Sequence, residues 1–531
     1  MSSSAFTRRQ FGTRLLAGLG ASAAAPGDRI AAMLQAAQAP AIVRAPGARM
    51  ELPSGVMCGD VTADGAVIWS RADRPSTMLV QWSTTASFEN VRRVVGPLAL
   101  SDTDHAAKTV LTGLPAGQHI FYRVRFADLA DTRLISEPVE GHFKAPPADA
   151  RDVSFVWSGD TAGQGFGIDL GRGGIRTYET MRVAQPDFFV HVGDTIYADA
   201  PLAAEMPLDD GTVWRNEMTP EKAKVAESLA EFRGNHLYNY RDAHVRRFNS
   251  EVPGYYQWDD HEVLNNWYPS EELDDSRYTE RKVSVLSSRA RRAFFQCLPV
   301  RPHPTEQIFR NIAYGLLLEL FILDMRAYRG PNTANRQTAP DETTALLGRA
   351  QLDLLKSGLA ASRATWKVIC SDMPIGLTVT DGSAFEAVAN GDGGAPLGRE
   401  HEIAELLMHL RDARVRNVIW ITADVHHAAS IHYDPARASF KAFDPFWEFV
   451  SGPLHAGTFA PPPLDSTFGP ETRYLGIPSG MKPNRPPSAG LQFFGRVRID
   501  AATRAMTVEH WNVGGERLWS IDLPAARTAP S

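Results

Sequence analysis

The sequence predicts an α/β chain in two parts, a small all-β sandwich followed by a larger layered domain. In residues 45–146, short runs of β-branched and aromatic residues alternate with Gly, Pro and Asp turns, which is typical of a sandwich. After the Ala-Pro-Pro at 145–147, short apolar runs alternate with stretches of helical spacing. This alternation predicts a layered α/β domain over residues 150–525.

The N-terminal sandwich is predicted from apolar runs at residues 66–69, 78–82 and 120–124, where apolar and polar residues alternate. The Leu-Thr-Gly-Leu-Pro-Ala-Gly before the last run is a turn-then-strand pattern common in fibronectin-like sandwiches. We find no convergent cluster of polar residues in this part of the sequence. Its predicted role is therefore packing and support.

The layered domain is predicted from buried strands, because parallel strands covered on both faces carry continuous apolar runs. These predicted strands lie at residues 153–157, 188–192, 317–323, 366–370 and 418–422. Helices are predicted over residues 174–184, 347–361 and 399–412, and within the charged residues 208–250. The Gly/Pro-rich residues 380–398 and 455–490 are predicted loops over the site, and a closing hairpin is predicted at 491–499 and 506–511.

Residues 1–25 carry the pattern of a twin-arginine export signal. The Thr-Arg-Arg-Gln-Phe at residues 7–11 precedes a weakly apolar stretch and an alanine-rich end. A flexible tail is the alternative for this segment. The apolar stretch is too short to span a bilayer, which takes roughly 20 residues, so no stable membrane anchor is predicted. The signal predicts the twin-arginine export machinery as a partner and a periplasmic or secreted location.

The net charge and the cysteine content of the chain argue against some classes of protein. The formal net charge of −6 argues against a nucleic-acid-binding surface that neutralises phosphates. Small anionic substrates remain compatible with this charge, since a metal ion supplies positive charge locally. Cys58, Cys297 and Cys370 are too few and too scattered for a disulfide framework, and we predict that they are buried free thiols.

Acidic, histidine and tyrosine residues follow several predicted strands. They are Asp160, Asp194, Tyr197, Asp260, His261, Asp424 and His426. A single Gly-Asp after a strand is usually a turn or a helix cap, and scattered caps and salt bridges are the alternative here. Carboxylates that converge from several strand ends repel one another unless a cation compensates them. Because ligands bind at the carboxyl ends of strands in α/β sheets, the pattern predicts a metal site.

The order of these elements resembles the metallophosphoesterase superfamily: Gly-Asp, Gly-Asp-x-x-Tyr, an Asp-His-Glu element and a late Val-His element. The tyrosine in the second element is similar to purple acid phosphatases. The Trp-Asp-Asp-His-Glu-Val-Leu-Asn-Asn at 258–266, with the Leu-Asp-Met-Arg-Ala-Tyr-Arg at 323–329, resembles PhoD-type alkaline phosphatases. The resemblance implies an exported enzyme with a layered β-sandwich metallophosphoesterase domain behind a small fibronectin/Ig-like sandwich.

The resemblance also implies two metal ions. The implied ligands of the first ion are Asp160, Asp194, Tyr197 and His426, a mixed set that suits Fe³⁺. Asp194 would bridge to a second ion, and Asp260 and Asp424 would complete a carboxylate set that favours Ca²⁺, Mg²⁺ or Mn²⁺. PhoD enzymes are iron–calcium enzymes, so Fe³⁺ and Ca²⁺ are the predicted cofactors. The best-known PhoD members have a cysteine at the position of Asp160, and this departure keeps Mn²⁺ and Zn²⁺ as alternatives.

A further departure concerns the superfamily's Val-x-x-His ligand, which this chain lacks. The corresponding stretch contains Cys370 and Asp372, either of which is a candidate substitute. A buried structural Cys370 is the favoured interpretation.

The implied reaction is hydrolysis of phosphate monoesters, and of diesters as a further activity, by attack of a metal-bound hydroxide. His261 would protonate the leaving oxygen, with a pairing to Asp260 or Glu262 as the alternative. Asn265 and Arg326 would contact phosphate oxygens, unless Arg326 braces Asp324. The competing functions are a phosphodiesterase or phospholipase D-type hydrolase on the same scaffold, and a non-catalytic cell-surface binding protein.

Overall fold

A computed structural model describes residues 49–526 of the chain, so the predicted export signal lies outside the described residues. Across that range, every helix is too short or too polar to cross a membrane. The N-terminal strands are β1 (Val56–Thr62), β2 (Gly65–Arg71), β3 (Ser76–Ser83), β4 (Arg92–Ala99), β5 (Ala106–Thr112), β6 (His119–Asp128) and β7 (Val139–Lys144).

The layered part follows. Its strands are β8 (Val153–Ser158), β9 (Phe188–Val192), β10 (Glu205–Pro207), β11 (Val213–Arg215), β12 (Gly254–Gln257), β13 (Arg310–Tyr314), β14 (Leu318–Ile322), β15 (Trp366–Cys370), β16 (Thr380–Asp381), β17 (Ala384–Phe385), β18 (Val418–Thr422), β19 (Ala429–Tyr433), β20 (Phe446–Val450), β21 (Pro470–Leu475), β22 (Phe493–Ile499), β23 (Met506–Asn512) and β24 (Arg517–Leu523). Its α-helices are α1 (Arg176–Val183), α2 (Leu229–Asn239), α3 (Ala243–Glu251), α4 (Val283–Cys297), α5 (Arg349–Ala361) and α6 (Glu400–Asp412).

Two large mixed sheets face each other in the layered part. The first has the strand order β24-β23-β22-β8-β9-β12-β1-β2-β5, and the second has the order β13-β14-β15-β18-β20-β19-β21. One apolar core joins their facing sides, for example Phe155 and Val190 of the first sheet with Leu320 and Ile421 of the second. Helices α5 and α6 cover the outer face of the second sheet, and α1 and α3 cover the first. The predicted layered β-sandwich is therefore confirmed.

The parallel strands determine where polar side chains emerge. β8, β9 and β12 are parallel neighbours, as are β14, β15, β18 and β20 in the second sheet. Buried central strands such as Phe188–Val192 carry apolar residues on both faces, as parallel sheets require. Because parallel strands end at the same edge, residues that follow them gather there.

The N-terminal part is all β, and one of its sheets continues into the layered part. Strands β4-β3-β6-β7 form a separate sheet, whereas β1, β2 and β5 extend the first large sheet. The junction is a parallel contact of β1 with β12, where Gly59 lies opposite Gly254. A Cβ on Gly59 would lie 2.6 Å from the carbonyl oxygen of Gly254, so only glycine fits. The boundary at residues 45–146 remains a prediction.

Differences from the sequence expectation fall in turns and short strands. Residues 208–250 contain helices α2 and α3 as predicted, but they also include β11, which pairs with β10 around a turn at Gly211. The closing hairpin of β22 and β23 gains a third strand, β24. With three residues each, β10 and β11 lack enough residues for a clear alternation in the sequence. Cys58, Cys297 and Cys370 are free and buried, as predicted.

Candidate metal centre

The candidate site lies where parallel strands of both large sheets end. Asp160 follows β8, Asp194 follows β9 and Asp424 follows β18, and their φ angles are 65°, 55° and 65°. His426 shares this left-handed conformation, with a φ of 58°. Few L-residues adopt it, and aspartate tolerates it better than most. The backbone therefore turns sharply at each strand end, and strain of this kind concentrates at functional sites.

Glycines allow these turns to approach one another closely. A Cβ on Gly193, whose φ is 110°, would lie 2.5 Å from the Cβ of Asp259. A Cβ on Gly163 would lie 2.2 Å from the ring of Tyr197. Neither distance is tolerated between carbon atoms, so both positions require glycine.

Asp160, Asp194 and His426 form a first group of candidate metal ligands, with ligand atoms that all lie within 4.8 Å of one another. Tyr197 joins them, because its Oη lies 3.0 Å from Nε2 of His426. All four side chains are buried. We name these four residues the mixed-donor half, since they offer carboxylate, phenol and imidazole groups.

Asp160 is the residue whose position most clearly fits a cation. It is fully buried, yet neither of its carboxylate oxygens has a hydrogen-bond partner among the described residues. Burial, partly offset by His261, raises the pKa of Asp160 to about 8. A buried carboxyl group without donors is costly unless a cation compensates it. The residues present therefore fit a metal ion.

His426 is oriented to present a lone pair to this group. Its Nδ1 lies 2.6 Å from the carbonyl oxygen of Gly457, which fixes the proton on Nδ1 and leaves Nε2 as an acceptor. Burial lowers the pKa of His426 to about 4. The ring is therefore neutral at pH 7, the form that ligates metals.

A second set of acidic residues lies beside the first. Asp259, Asp260 and Asp424 form a group by the same distance criterion, and we name these three residues the carboxylate half. Asp194, Asp260 and His261 form a third group that connects the two halves. The structure thus brings Asp194 near Asp260 and Asp260 near Asp424, as the predicted second ligand set requires.

Asp260 accepts two backbone hydrogen bonds within the carboxylate half. The amide of Asn266 donates to its Oδ2 over 2.6 Å, and the amide of His261 donates to its Oδ1 over 2.9 Å. Although burial opposes the shift, His261 and Arg326 lower the pKa of Asp260. Asp260 is therefore held as an anion by the protein itself.

Arg326 lies beneath the carboxylate half, not at its opening. Its side chain is 0% exposed, with Nε 2.8 Å from Asp259 Oδ1 and Nη1 2.5 Å from Glu386 Oε1. Nη2 lies 3.9 Å from Asp424 Oδ1. This differs from the predicted contact with phosphate, because acidic side chains surround the guanidinium. From Arg326, the alternative partner Asp324 accepts a hydrogen bond of the backbone N–H and none of the side chain.

His261 and Asp199 form a dyad next to both halves. Nδ1 of His261 lies 2.7 Å from Asp199 Oδ1, and the His261 ring packs against that of Tyr197 with centroids 4.3 Å apart and planes tilted by 31°. Burial would lower the pKa of His261, but Asp199, Asp260 and Asp194 together raise it well above its usual value. These carboxylates therefore favour the protonated form of His261, whose side chain keeps 10% exposure.

The residues around the Asp-His-Glu motif hold the turns together. Glu262 Oε2 accepts from the amides of Asp194 and Asp259, at 3.2 and 2.7 Å. The side chain of Asn265 is exposed, while its amide donates to Asp199 Oδ2 over 3.0 Å. Trp258 Nε1 donates to Asp324 Oδ1 over 2.8 Å, which links the two characteristic motifs of the sequence.

Comparison with known proteins places this site in a family. The sequence-family model described as PhoD-like phosphatase matches residues 155–510. The family model of the PhoD-like phosphatase N-terminal domain matches residues 36–147. The chain belongs to the PhoD-like phosphatase family. Alkaline phosphatase D of Bacillus subtilis is 26% identical over 430 residues, which are 76% of this chain and 69% of that protein.

Solved structures agree on the fold of this PhoD-like phosphatase. A PhoD structure matches with a TM-score of 0.65 at 19% identity and covers 89% of each chain. The purple acid phosphatase of yellow lupin seeds matches with a TM-score of 0.53 at 14% identity, over 88% of this chain and 73% of that one. Family membership makes the chain a phosphoric ester hydrolase, so the non-catalytic binding protein no longer stands as an alternative.

Some residues considered in the sequence lie apart from the two halves. Cys370 packs in the apolar core between the sheets. Asp372 contacts Arg326, with 3.4 Å between Oδ2 and Nε, and belongs to neither half. The missing Val-x-x-His ligand therefore has no direct substitute among the described candidate groups.

Sequence reasoning missed Asp199 and Glu386. Asp199 lies five residues after Asp194, and only its proximity to a candidate ligand hinted at a role. Glu386 lies in the Gly-rich segment 380–398, far along the chain from its partner Arg326. A contact of this kind leaves no periodic pattern in a single sequence.

Proposed function

We propose that this PhoD-like phosphatase is an exported alkaline phosphatase whose activity depends on two metal ions bridged by Asp194. The supporting observation is Asp160, a fully buried carboxylate without hydrogen-bond donors, grouped with Asp194 and His426 within 4.8 Å. Its substrates are small phosphate monoesters, with diesters as a further activity.

The donor atoms support different ions in the two halves. Phenolate is a hard anionic donor, so the mixed-donor half suits Fe³⁺, with Mn²⁺ or Zn²⁺ as alternatives. Carboxylates alone suit Ca²⁺, Mg²⁺ or Mn²⁺, and we assign Ca²⁺ to Asp194, Asp260 and Asp424. Bound there, the two cations would neutralise the phosphate oxygens and acidify a water molecule near neutral pH.

His261 is the proposed general acid. Its Nδ1–H donates to Asp199, which leaves Nε2 to carry the proton for the leaving alcohol. The neighbouring carboxylates favour the imidazolium, so the proton is available where the ester bond breaks. Arg326 is proposed to position Asp259, because its side chain is fully buried and its Nε donates to Asp259 Oδ1. The predicted phosphate contact of Asn265 remains a prediction.

Export is proposed from the twin-arginine pattern at residues 7–11. A protein that follows this route crosses the membrane folded, which is compatible with loading of its metals beforehand. Replacement of both arginines, Arg8→Lys with Arg9→Lys, should retain active enzyme inside the cell, whereas secretion at the wild-type level would contradict this assignment.

The deciding experiment joins metal analysis to a substrate comparison. Protein purified from its native export route should contain two ions per chain and should hydrolyse p-nitrophenyl phosphate faster than bis-p-nitrophenyl phosphate. Chelation should abolish turnover, and readdition of Fe³⁺ with Ca²⁺ should restore it.

Each alternative has its own outcome in that experiment. Faster turnover of the bis ester would favour the hypothesis that the enzyme is a phosphodiesterase or phospholipase D-type hydrolase on the same scaffold. Rates that chelation leaves unchanged would contradict the two-metal proposal.

A further inference from the structure

Glu386 connects the loop over the site to the carboxylate half. It directly follows β17 in the segment 380–398, and its side chain is fully buried. Its Oε1 lies 2.5 Å from Nη1 of Arg326 and 2.8 Å from Nη1 of Arg329. Removing one partner of such a buried ion pair leaves the other charge without compensation, so these contacts restrict Arg326 strongly.

Hydrogen bonds from arginine side chains also hold the backbone at Glu386 in place. Nη1 of Arg399 donates to the carbonyl oxygens of Phe385 and Glu386, at 2.8 and 2.9 Å. Nη2 of Arg329 also donates to the Glu386 carbonyl oxygen. The loop therefore holds the carboxylate of Glu386 at a fixed place beside Arg326.

Arg326 stands between this loop and the candidate ligands. Its Nη2 lies 2.5 Å from Asp259 but 3.9 Å from Asp424. The larger distance matters, because Asp424 is a carboxylate that the second cation needs. A guanidinium that moved onto Asp424 would compete with that cation through its charge and through its hydrogen bonds.

We propose that Glu386 is a positioning residue that holds Arg326 against Asp259 and away from Asp424. In this way it leaves Asp260 and Asp424 available for the second cation. The inference rests on the proposed function, because it requires a metal ion at Asp260 and Asp424. The mixed-donor half has no such dependence, since Arg326 contacts neither Asp160 nor Asp194.

The test is the variant Glu386→Gln in the full chain, because it removes the charge and keeps the shape. Ca²⁺ affinity is measured by calorimetry, and the ion of the mixed-donor half is measured by metal analysis. We expect Ca²⁺ affinity to fall about 10- to 100-fold, as for other groups that orient metal ligands, with the content of the mixed-donor ion unchanged. Saturating Ca²⁺ should restore kcat without a change in KM.

Glu448→Gln is the matched control. Glu448 is also fully buried, but it accepts hydrogen bonds from the Ile375 amide and the Tyr433 hydroxyl instead of facing arginines. Its replacement should leave Ca²⁺ affinity unchanged. Glu386→Asp keeps the charge with a shorter reach, so its Ca²⁺ affinity should lie between those of wild type and Glu386→Gln.

The outcomes separate this inference from the proposed function. Wild-type Ca²⁺ affinity in folded Glu386→Gln would overturn the inference, as would equal loss of ions from both halves. Should Glu386→Gln fail to fold, Glu386→Asp decides alone, and wild-type affinity in it has the same meaning. A wild-type enzyme that binds a single ion, or none, would instead contradict the two-metal function itself.

Discussion

The two halves of the candidate centre differ in how the protein compensates their buried carboxylates. In the carboxylate half, Arg326 lies within 4 Å of Asp259 and Asp424. In the mixed-donor half, across the described residues, no arginine or lysine forms an ion pair with Asp160 or Asp194. One half thus carries a permanent organic cation, and the other does not.

This difference would account for the two unlike metal sites proposed above. Where a guanidinium already neutralises part of the charge, a divalent ion with weak demands on geometry suffices. Where no arginine or lysine pairs with Asp160 or Asp194, a smaller ion of higher charge is favoured, and phenol ionisation by that ion would supply a further donor. We therefore expect the halves to lose their ions independently, except through Asp194.

The largest effect is expected from Asp194→Ala, because Asp194 alone is proposed to contact both ions. Metal analysis should find both ions depleted, and kcat/KM on p-nitrophenyl phosphate should fall by about 10³-fold or more. The melting temperature with metals present should approach that of chelated wild type. Retention of either ion at full occupancy would mean that Asp194 is not the bridge.

A pair of variants separates the halves. Asp160→Asn should deplete the ion of the mixed-donor half alone, and Asp424→Asn should deplete the ion of the carboxylate half alone. Each should lower kcat/KM by about 10²- to 10³-fold, because each removes one charged ligand. Metal analysis of both proteins is the measurement. Loss of the same ion from both variants would show that the two halves form one site.

Tyr197→Phe should have a smaller effect on rate and a large effect on colour. A phenolate bound to Fe³⁺ absorbs visible light, so the wild-type enzyme should be purple and the variant should not. The change removes one of four ligands without removing a carboxylate, and we expect kcat/KM to fall by about 10- to 100-fold. A purple variant would exclude Tyr197 as the iron ligand, whereas a colourless wild-type enzyme would favour Mn²⁺ or Zn²⁺ there.

The sequence was sufficient to predict which residues lie at the strand ends. It was insufficient to predict the tertiary contacts that orient their side chains. Asp160, Asp194 and Asp424 were predictable because each follows an apolar run, and parallel strands end at one edge. The positive φ at each of these residues was not predictable, since it depends on how close the turns lie in space. Local pattern thus located the residues, and tertiary packing determined their orientation.

Arg326 and Glu386 show most clearly what could not be predicted from the sequence. The Leu-Asp-Met-Arg motif drew attention to Arg326, but its side chain is surrounded by acids from the turns after β12 and β15 and from a distant loop. One of these acids, Glu386, comes from loop 380–398. The glycines and short strands of this loop show no hydrophobic periodicity that would predict the contact. Burial of a charged side chain is decided by its partners, and a single sequence does not reveal those partners.

The smallest expected effect concerns the pH dependence of stability that Glu448 causes. This buried carboxyl group has hydrogen bonds from Tyr433 and Ile375 as its polar contacts. Burial raises the pKa of Glu448 from 4.5 to about 7, despite the hydrogen bonds from Tyr433 and Ile375. The folded chain therefore keeps a proton that the unfolded chain releases above pH 4.5. The stabilisation is complete below that pH and is lost as the pH rises through 7, a change of about 3 kcal/mol at most.

Glu448→Gln should remove this pH dependence and leave activity and metal content unchanged. The measurement is urea unfolding between pH 4.5 and 8, for wild type and variant, with and without chelator. The difference between the two free energies of unfolding should follow the same pH curve in chelated and metal-loaded protein, because Glu448 lies in neither half. A curve that shifts with metal would mean that the centre influences carboxyl groups well beyond its ligands, and the sharp boundary between the two halves would not hold.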